Sequence, residues 1–327
     1  MIRKIIGAVS LFITFIVTFA IGVGCIIRGA GDFSWDIVSE YVSMSDIVMI
    51  NDTPVSNLFS FSDHSAMMGS HAEGQIDMPS GAGTIEIVDI PVNLVFVVSS
   101  DEQIHLTFDG DINKSCVVKS AANLEGTNIP DIEFAYNDST DKAVIRFRNF
   151  RTRASETPRL TIAIPANYAG AIKLEDVAGK AEGDLPLSLT KVTIKNVAGN
   201  ASISDLTAPE LKISDVAGKV ELEDGKFQTL TVEDGAGKVI VSGSVGSFDV
   251  HGIAGKVEIS SDIPLADDCA IRNIMGDVSV TLPKGCAFKV KKDDVVGVVI
   301  AKGSKKGEHT VTIENIMGKV SILNTNA

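Results

Sequence analysis

Beyond residue 80, apolar and polar residues alternate along much of the chain. Thr84-Ile85-Glu86-Ile87-Val88, Ile104-His105-Leu106-Thr107-Phe108, Val144-Ile145-Arg146-Phe147-Arg148 and Leu160-Thr161-Ile162-Ala163-Ile164-Pro165 all show this pattern. Period two with β-branched and aromatic residues predicts half-buried strands. Residues 81–170 therefore read as an N-terminal β-region that begins and caps a longer β-structure.

From residue 171 to 327 the alternation is punctuated by a recurring corner. It reads Val177-Ala178-Gly179-Lys180, Val197-Ala198-Gly199-Asn200, Val216-Ala217-Gly218-Lys219, Gly235-Ala236-Gly237-Lys238, Ile253-Ala254-Gly255-Lys256, Ile274-Met275-Gly276-Asp277, Val296-Gly297-Val298 and Ile316-Met317-Gly318-Lys319. The glycines step by 20, 19, 19, 18, 21, 21 and 21 residues. Eight matches at so steady a period mark a repeat protein. Within one copy, Val220 and Leu222 share a face, Asp224-Gly225 turns, Leu230 and Val232 share a face, and Asp234-Gly235 turns again. Each repeat is thus two short strands and two turns, and no 3.6-residue stripe fits between the glycines. A twenty-residue coil cannot fold alone, because backbone ordering costs about 1–2 kcal/mol per residue. Stacked coils share a core and each other's backbone bonds. The fold class is all-β, a β-solenoid of about twenty-residue coils.

At each corner the glycine either holds a positive φ or lets a backbone pass close by. Three residues earlier stand Asp176, Asn196, Asp215, Asp234, Gly252, Asn273, Asp294 and Asn315. Asp and Asn bond to nearby backbone at turns, so they are assigned to corner stabilisation. A calcium ladder is the functional alternative, but the glycine-rich nonapeptide of calcium-binding β-rolls is absent. Cys269-Ala270-Ile271 and Cys286-Ala287-Phe288 read as equivalent positions in neighbouring coils. Stacked at about 4.8 Å they fit a disulfide, and they equally fit two buried free thiols.

The N-terminus differs. Residues 5–27 are 23 residues without a charge. As a helix they span about 34 Å, enough for a bilayer core. Arg3 and Lys4 precede this run, while Asp32, Asp36 and Glu40 come after Arg28. The positive end predicts a cytoplasmic N-terminus, a single pass at the cell membrane and an extracytoplasmic remainder. A cleaved signal or a lipidated Cys25 are the alternatives, and either leaves the rest outside the cytoplasm. Trp35 is placed near the headgroups. Residues 1–28 thus form the anchor, and 29–80 a linker or irregular segment. Asp63, His64 and His71 lie in that segment and read as exposed loop residues rather than metal ligands.

Composition narrows the partners. The net charge is −13, against a broad nucleic-acid surface. The four cysteines, Cys25, Cys116, Cys269 and Cys286, have no metal-ligand spacing. Arg146, Arg148, Arg151 and Arg153 make a local basic cluster, read as a solvated strand face with an anion site as the alternative. No cofactor and no metal site are assigned.

Leu160-Thr161-Ile162-Ala163-Ile164-Pro165, Tyr168-Ala169-Gly170-Ala171-Ile172 and the Val-Ala-Gly-Lys series resemble the bacterial putative-adhesin family of unknown function. The resemblance covers residues 80–327 and implies an extracytoplasmic β-solenoid behind an N-terminal membrane span. It carries no catalytic residues.

Three functions are compatible with these features. The first is a non-catalytic binding or scaffold module, adhesin-like, at the cell surface, with an envelope component or surface protein as partner. Its outward residues Glu175, Lys195, Ser214, Glu233, His251, Arg272 and Glu314 vary in sign and specify no ligand class. The second is an accessory protein in envelope sensing through a membrane partner. The third is a polysaccharide-active enzyme, which needs clustered carboxylates and aromatic platforms. Trp35 is the one Trp, there are three Tyr, and the pairs Asp267-Asp268 and Asp293-Asp294 have no evident partner. The chain is therefore read as non-enzymatic. The final strand, Val320-Ser321-Ile322-Leu323-Asn324, is expected to be an open edge able to pair with another copy.

Overall fold

The structure, a computed structural model, describes residues 49–50, 53–54, 68–77, 83–112, 117–120, 131–137, 140–148, 159–301, 303–304 and 306–325. The anchor at 5–27, Cys25, Trp35, Asp63, His64, Cys116, Arg151 and Arg153 lie outside the described residues. The chain divides into two units, Met1–Asp63 and His64–Ala327. In the first, Met49–Ile50 pairs antiparallel with Thr53–Pro54. Among the described residues there is no helix long and apolar enough to cross a membrane.

The second unit is a solenoid-like column, all β among its described residues. Its coils present two strands each, one before the repeat corner and one after it. The strands before the corner stack in parallel through 84–90, 171–177, 191–197, 210–216, 229–233, 249–253, 269–274, 310–316 and 289–295. Those after it stack through 93–99, 180–184, 200–204, 219–223, 238–243, 256–261, 277–282, 319–324 and 298–301. Strands Lys142–Arg148 and Arg159–Pro165 add one further coil, beside 84–90 and 93–99. Ten coils at about 4.8 Å give a column roughly 43 Å long.

Period-two alternation sets the core. Ile87, Leu174, Ile194, Ile213, Val232, Val250, Ile271 and Ile313 form one inward column by register, and all are buried. Each such side chain contributes about 1.5–3 kcal/mol on burial. In the middle coils the strands continue round a second corner, giving single strands Lys219–Glu233 and Lys238–Ile253. The two-strand repeat expected from sequence is there a nearly continuous ribbon.

Spatial order departs from chain order at both ends. Coil 84–99 lies between coil 142–165 and coil 171–184. At the other end, the last coil in sequence, 310–324, is inserted between 269–282 and 289–301. Residues 319–322 of the C-terminal strand are therefore paired on both sides. The open edge is Lys289–Val295 with Val298–Ala301, not the C-terminal strand. Glycine steps of 21 residues are equal either way, so spacing alone misplaces this coil.

At the N-terminal end, strand Gln103–Ile112 pairs antiparallel with Arg159–Pro165 and with Met68–Asp77. Residues 68–77, read from sequence as irregular, thus form a ten-residue strand. Its glycine, serine and acidic positions obscure the alternation, and the pairing comes from the partner strand. Tyr168, buried, ties coil 84–99 to coil 171–184. Its hydroxyl donates to the Ala171 carbonyl at 2.7 Å and accepts from the Ile85 N–H at 3.2 Å.

Candidate functional site

The corners decide how closely coils approach. None of the eight motif glycines holds a positive φ; that role falls to the Asx residues three positions earlier. Asp176, Asn196, Asp215, Asp234, Asn273, Asp294 and Asn315 all have φ between 51° and 58°. Asp and Asn tolerate this left-handed conformation better than other non-glycine residues. Gly252, at φ 69°, fills the same place. Asp89, at φ 58°, is a further rung. Sequence reading missed it because Val92 stands where the motif glycine would be. The Asx three residues before that position was the available signal.

The glycines serve close approach instead. A Cβ on Gly199, Gly218, Gly255, Gly276 or Gly318 would lie 1.9–2.0 Å from the carbonyl oxygen of the glycine one coil away. Crowding results from a shared acceptor. The Val177 carbonyl takes both the Ala198 and Gly199 N–H groups at 2.9 Å, and the Val197 carbonyl takes those of Ala217 and Gly218. Side chains add rungs. Asn196 Nδ2 donates to Asp176 Oδ1 at 2.8 Å, and Asn315 Nδ2 to Asn273 Oδ1 at 3.1 Å. Among the described residues no group of three His, Cys, Asp or Glu side chains could hold a metal ion.

One rung titrates unusually. Burial pushes the Asp176 carboxyl up from 3.8 to about 6, against the hydrogen bond from Asn196, with Glu175 and Asp89 adding to the rise. A raised acid binds a proton in the fold that the unfolded chain releases. Stability then falls as pH rises between about 4 and 6, and the loss is complete above 6. At 1.36 kcal/mol per pKa unit, the cost at neutral pH is about 2–3 kcal/mol. We expect Asp176→Asn to raise the unfolding midpoint at pH 7 and to flatten its pH dependence between 4 and 6. Chemical denaturation at several pH values measures both, and an unchanged slope refutes the assignment.

The outer flank before the corner is a charge ladder. Glu175, Lys195, Ser214, Glu233, His251, Arg272 and Glu314 occupy one column in register. With the neighbouring column they form two networks. In the first, Glu86 accepts from Lys173 at 2.7 Å and Lys142 at 3.3 Å, and Glu175 pairs with Lys173 and Lys195. Burial pushes Glu86 up, but both lysines hold its carboxyl below the ordinary value. In the second, Lys212 pairs with Glu233, His251 lies 3.5 Å from both Glu233 and Asp249, and Arg272 pairs with Asp249 at 2.5 Å. With their lysine ends half-exposed to solvent, pairs of this kind contribute little stability each. Their effect is to fix charges at regular heights on a rigid face. Arg146 pairs with Asp89 at 3.7 Å, which ties it to the fold; the side chains of His71 and Arg148 lie outside the described residues.

The acidic pairs are not brought together. Asp268 Oδ1 accepts the Thr310 N–H at 2.7 Å, so it seats the inserted coil, and Asp267 Oδ1 caps Asp268. Asp293 and Asp294 lie on the terminal edge. Cys269 and Cys286 are free and buried. They are not equivalent positions in neighbouring coils, because Cys269 pairs with Val311 of the inserted coil and Val311 with Val290. Burial pushes the Cys269 thiol up to about 12. We expect it to resist iodoacetamide at pH 8 in the folded protein and to react at once in denaturant, as read by the mass of the peptide that carries it. Prompt labelling of Cys269 in the native protein refutes this burial.

The family model described as Toastrack DUF4097 matches residues 83–322. No curated protein matches the sequence. Similar solved structures include a "putative adhesin" from Bacteroides fragilis NCTC 9343, at 14% identity and TM-score 0.43, covering 78% of this chain and 97% of that one. A "putative adhesin" from Parabacteroides merdae ATCC 43184 is 13% identical with TM-score 0.30, covering 79% and 97%. A "putative cell adhesion protein" from Clostridium sporogenes ATCC 15579 is 13% identical with TM-score 0.25, covering 79% and 100%. At these identities and scores they bear on no residue or activity of this chain.

Proposed function

We propose that this chain, which belongs to the Toastrack family, is a non-catalytic binding or scaffold module held at the outer face of the cell membrane. The apolar run at 5–27 supports the tether, and the charges around it support an extracytoplasmic column. The observation that carries the reading is the register of the flank. Side chains of both signs stand at fixed positions in successive coils, paired along the column axis. A face of this kind suits contact with an extended envelope component, because its charges are held in place before binding.

The test is labelling of intact cells with a membrane-impermeant amine reagent, then co-sedimentation of the full chain with isolated wall and membrane fractions. External labelling and saturable binding to either fraction support the module. A column protected from label in intact cells overturns the topology, and absence of saturable binding to both fractions overturns the envelope partner.

A further inference from the structure

The exposed end of the column departs from the polar outward positions of most other coils, where Ile240 and Val95 are the apolar exceptions. After the corner, the first outward position is Lys180, Asn200, Lys219, Lys238, Lys256, Asp277 and Lys319, and then Val298 in the terminal coil. The next outward position is Glu182, Ser202, Glu221, Ile240, Glu258, Ser279 and Ser321, and then Ile300. At the corner itself Ala178, Ala198, Ala217, Ala236 and Ala254 give way to Met275, Met317 and Val296. Val296 is 83% exposed, Met317 65% and Val298 56%. Ile300, Met275 and Leu323 are exposed as well, so six of the nine exposed large apolar residues among those described cluster in the last three coils.

Charge changes at the same place. Residues 284–308 contain seven lysines against Asp293, Asp294 and Glu308, a net of 7 − 3 = +4, which leaves −17 for the rest of a chain at −13. Lys284, Lys289, Lys291, Lys292 and Lys306 are exposed and have no ion-pair partner among the described residues, unlike Lys173, Lys195 and Lys212 of the flank. Lys292 stands at the inward position, opposite Ile313 in the core column.

A second copy stacked on this edge is disfavoured. It would bury the Lys292 ammonium against its own core and bring two positive ends together, and an inward charge on an edge strand blocks such pairing. A folded acidic partner is also a poor fit. Protein interfaces use Arg, Tyr and Trp anchors, and residues 284–327 contain none of the three. Exposed branched aliphatics and a methionine, at an end of the column that also carries unpaired lysines, match a bilayer surface instead. The apolar tips enter the headgroup boundary while the lysine stems extend to anionic lipid. We propose that the exposed end of the column docks on anionic lipid bilayers through Val296, Val298 and Ile300 of the terminal coil and Met317 of the coil beside it, with Lys289, Lys291 and Lys292 supplying the charge.

This rests on the binding-module reading and names its partner. The full chain is reconstituted in nanodiscs of neutral lipid, then mixed with vesicles of phosphatidylcholine alone or with about one third phosphatidylglycerol. Capture is read by flotation. Capture of anionic vesicles is expected, at least tenfold above neutral ones and weakened by salt. Lys289→Ser/Lys291→Ser/Lys292→Ser and Val298→Ser/Ile300→Ser should each reduce it at least tenfold with an unchanged unfolding midpoint. Lys180→Ser/Lys238→Ser/Lys256→Ser, an equal charge change after the corner in other coils, should not. Equal capture of both vesicle types, no capture, or indifference to the end-coil variants overturns the proposal. Pairing of discs without vesicles, lost in those variants, overturns it in favour of a second copy. Wall binding that persists without vesicle capture overturns the lipid proposal and leaves the module standing.

Discussion

Gly237→Ala is expected to unfold the column or split it between coils, while Gly235→Ala, two residues away, leaves it intact. A Cβ at Gly237 would sit 2.1 Å from the Gly218 carbonyl oxygen and 2.6 Å from the Ala217 carbonyl carbon. Both are backbone atoms held by hydrogen bonds, since the Val216 carbonyl accepts from Ala236 and Gly237 and the Gly218 carbonyl from Lys238. Neither can retreat without breaking the ladder that stacks one coil on the next. The cost should exceed about 4 kcal/mol, in the range reserved for core disruption. Gly235 has no such neighbour: its Cβ would meet Ile253 Cδ1 at 3.5 Å, an ordinary contact, and its φ is not positive. Equivalent corners carry Val177, Val197 and Val216 here, so Gly235→Ala should be neutral or stabilise by up to about 1 kcal/mol. Urea unfolding of both variants measures the difference. Equal midpoints would mean that the coils are not in the contact described.

The second large effect concerns truncation. A chain ending at residue 308 should be no more stable than a shorter one ending at residue 283. The first loses strands Thr310–Ile316 and Lys319–Asn324, which lie inside the stack. Coil 289–301 is then left without its neighbour, and the buried face of 269–282 is open. Val311, Ile313, Ile316, Val320 and Ile322, all buried, go with the deleted coil. At about 1.5–3 kcal/mol each, their loss is of the order of the whole stability of a domain, and both truncations suffer it. The shorter chain removes both end coils together and leaves a single clean edge on 269–282. Limited proteolysis and thermal unfolding of the two truncations compare them. If stability simply falls with each deletion, the insertion is wrong.

Much of the column was legible in the sequence because period two and a glycine every twenty residues report on local geometry. Val220, Leu222, Leu230 and Val232 fall on the buried face that alternation assigns them. The Asx and glycine positions were both visible, but not the division of labour between them. A positive φ and a close approach select similar residues, and only the three-dimensional corner separates Asp215, which bends, from Gly218, which clears space. Coil order was not legible. Equal spacings fix the size of a coil and say nothing about which coil it lies on. One signal was available in the parity of the terminal coil: Lys292 inward, with Val298 and Ile300 outward, suits a coil with only one neighbour. The flank column from Glu175 to Glu314 was placed correctly, yet its pairing depends on the neighbouring column and so on register.

The exposed end depends entirely on the position of that last coil, and disulfide trapping tests it directly. Ser279 is in register with Ser321, and Ser321 with Ile300, so Ser279 and Ile300 are two strands apart. Adjacent strands lie about 4.8 Å apart, within disulfide reach, and alternate strands about 9.6 Å apart, beyond it. Under mild oxidation, Ser279→Cys/Ser321→Cys should cross-link readily and Ser279→Cys/Ile300→Cys should not, with the linked peptides identified by mass. The reverse result would place coil 289–301 directly on 269–282 and return the open edge to the C-terminal strand.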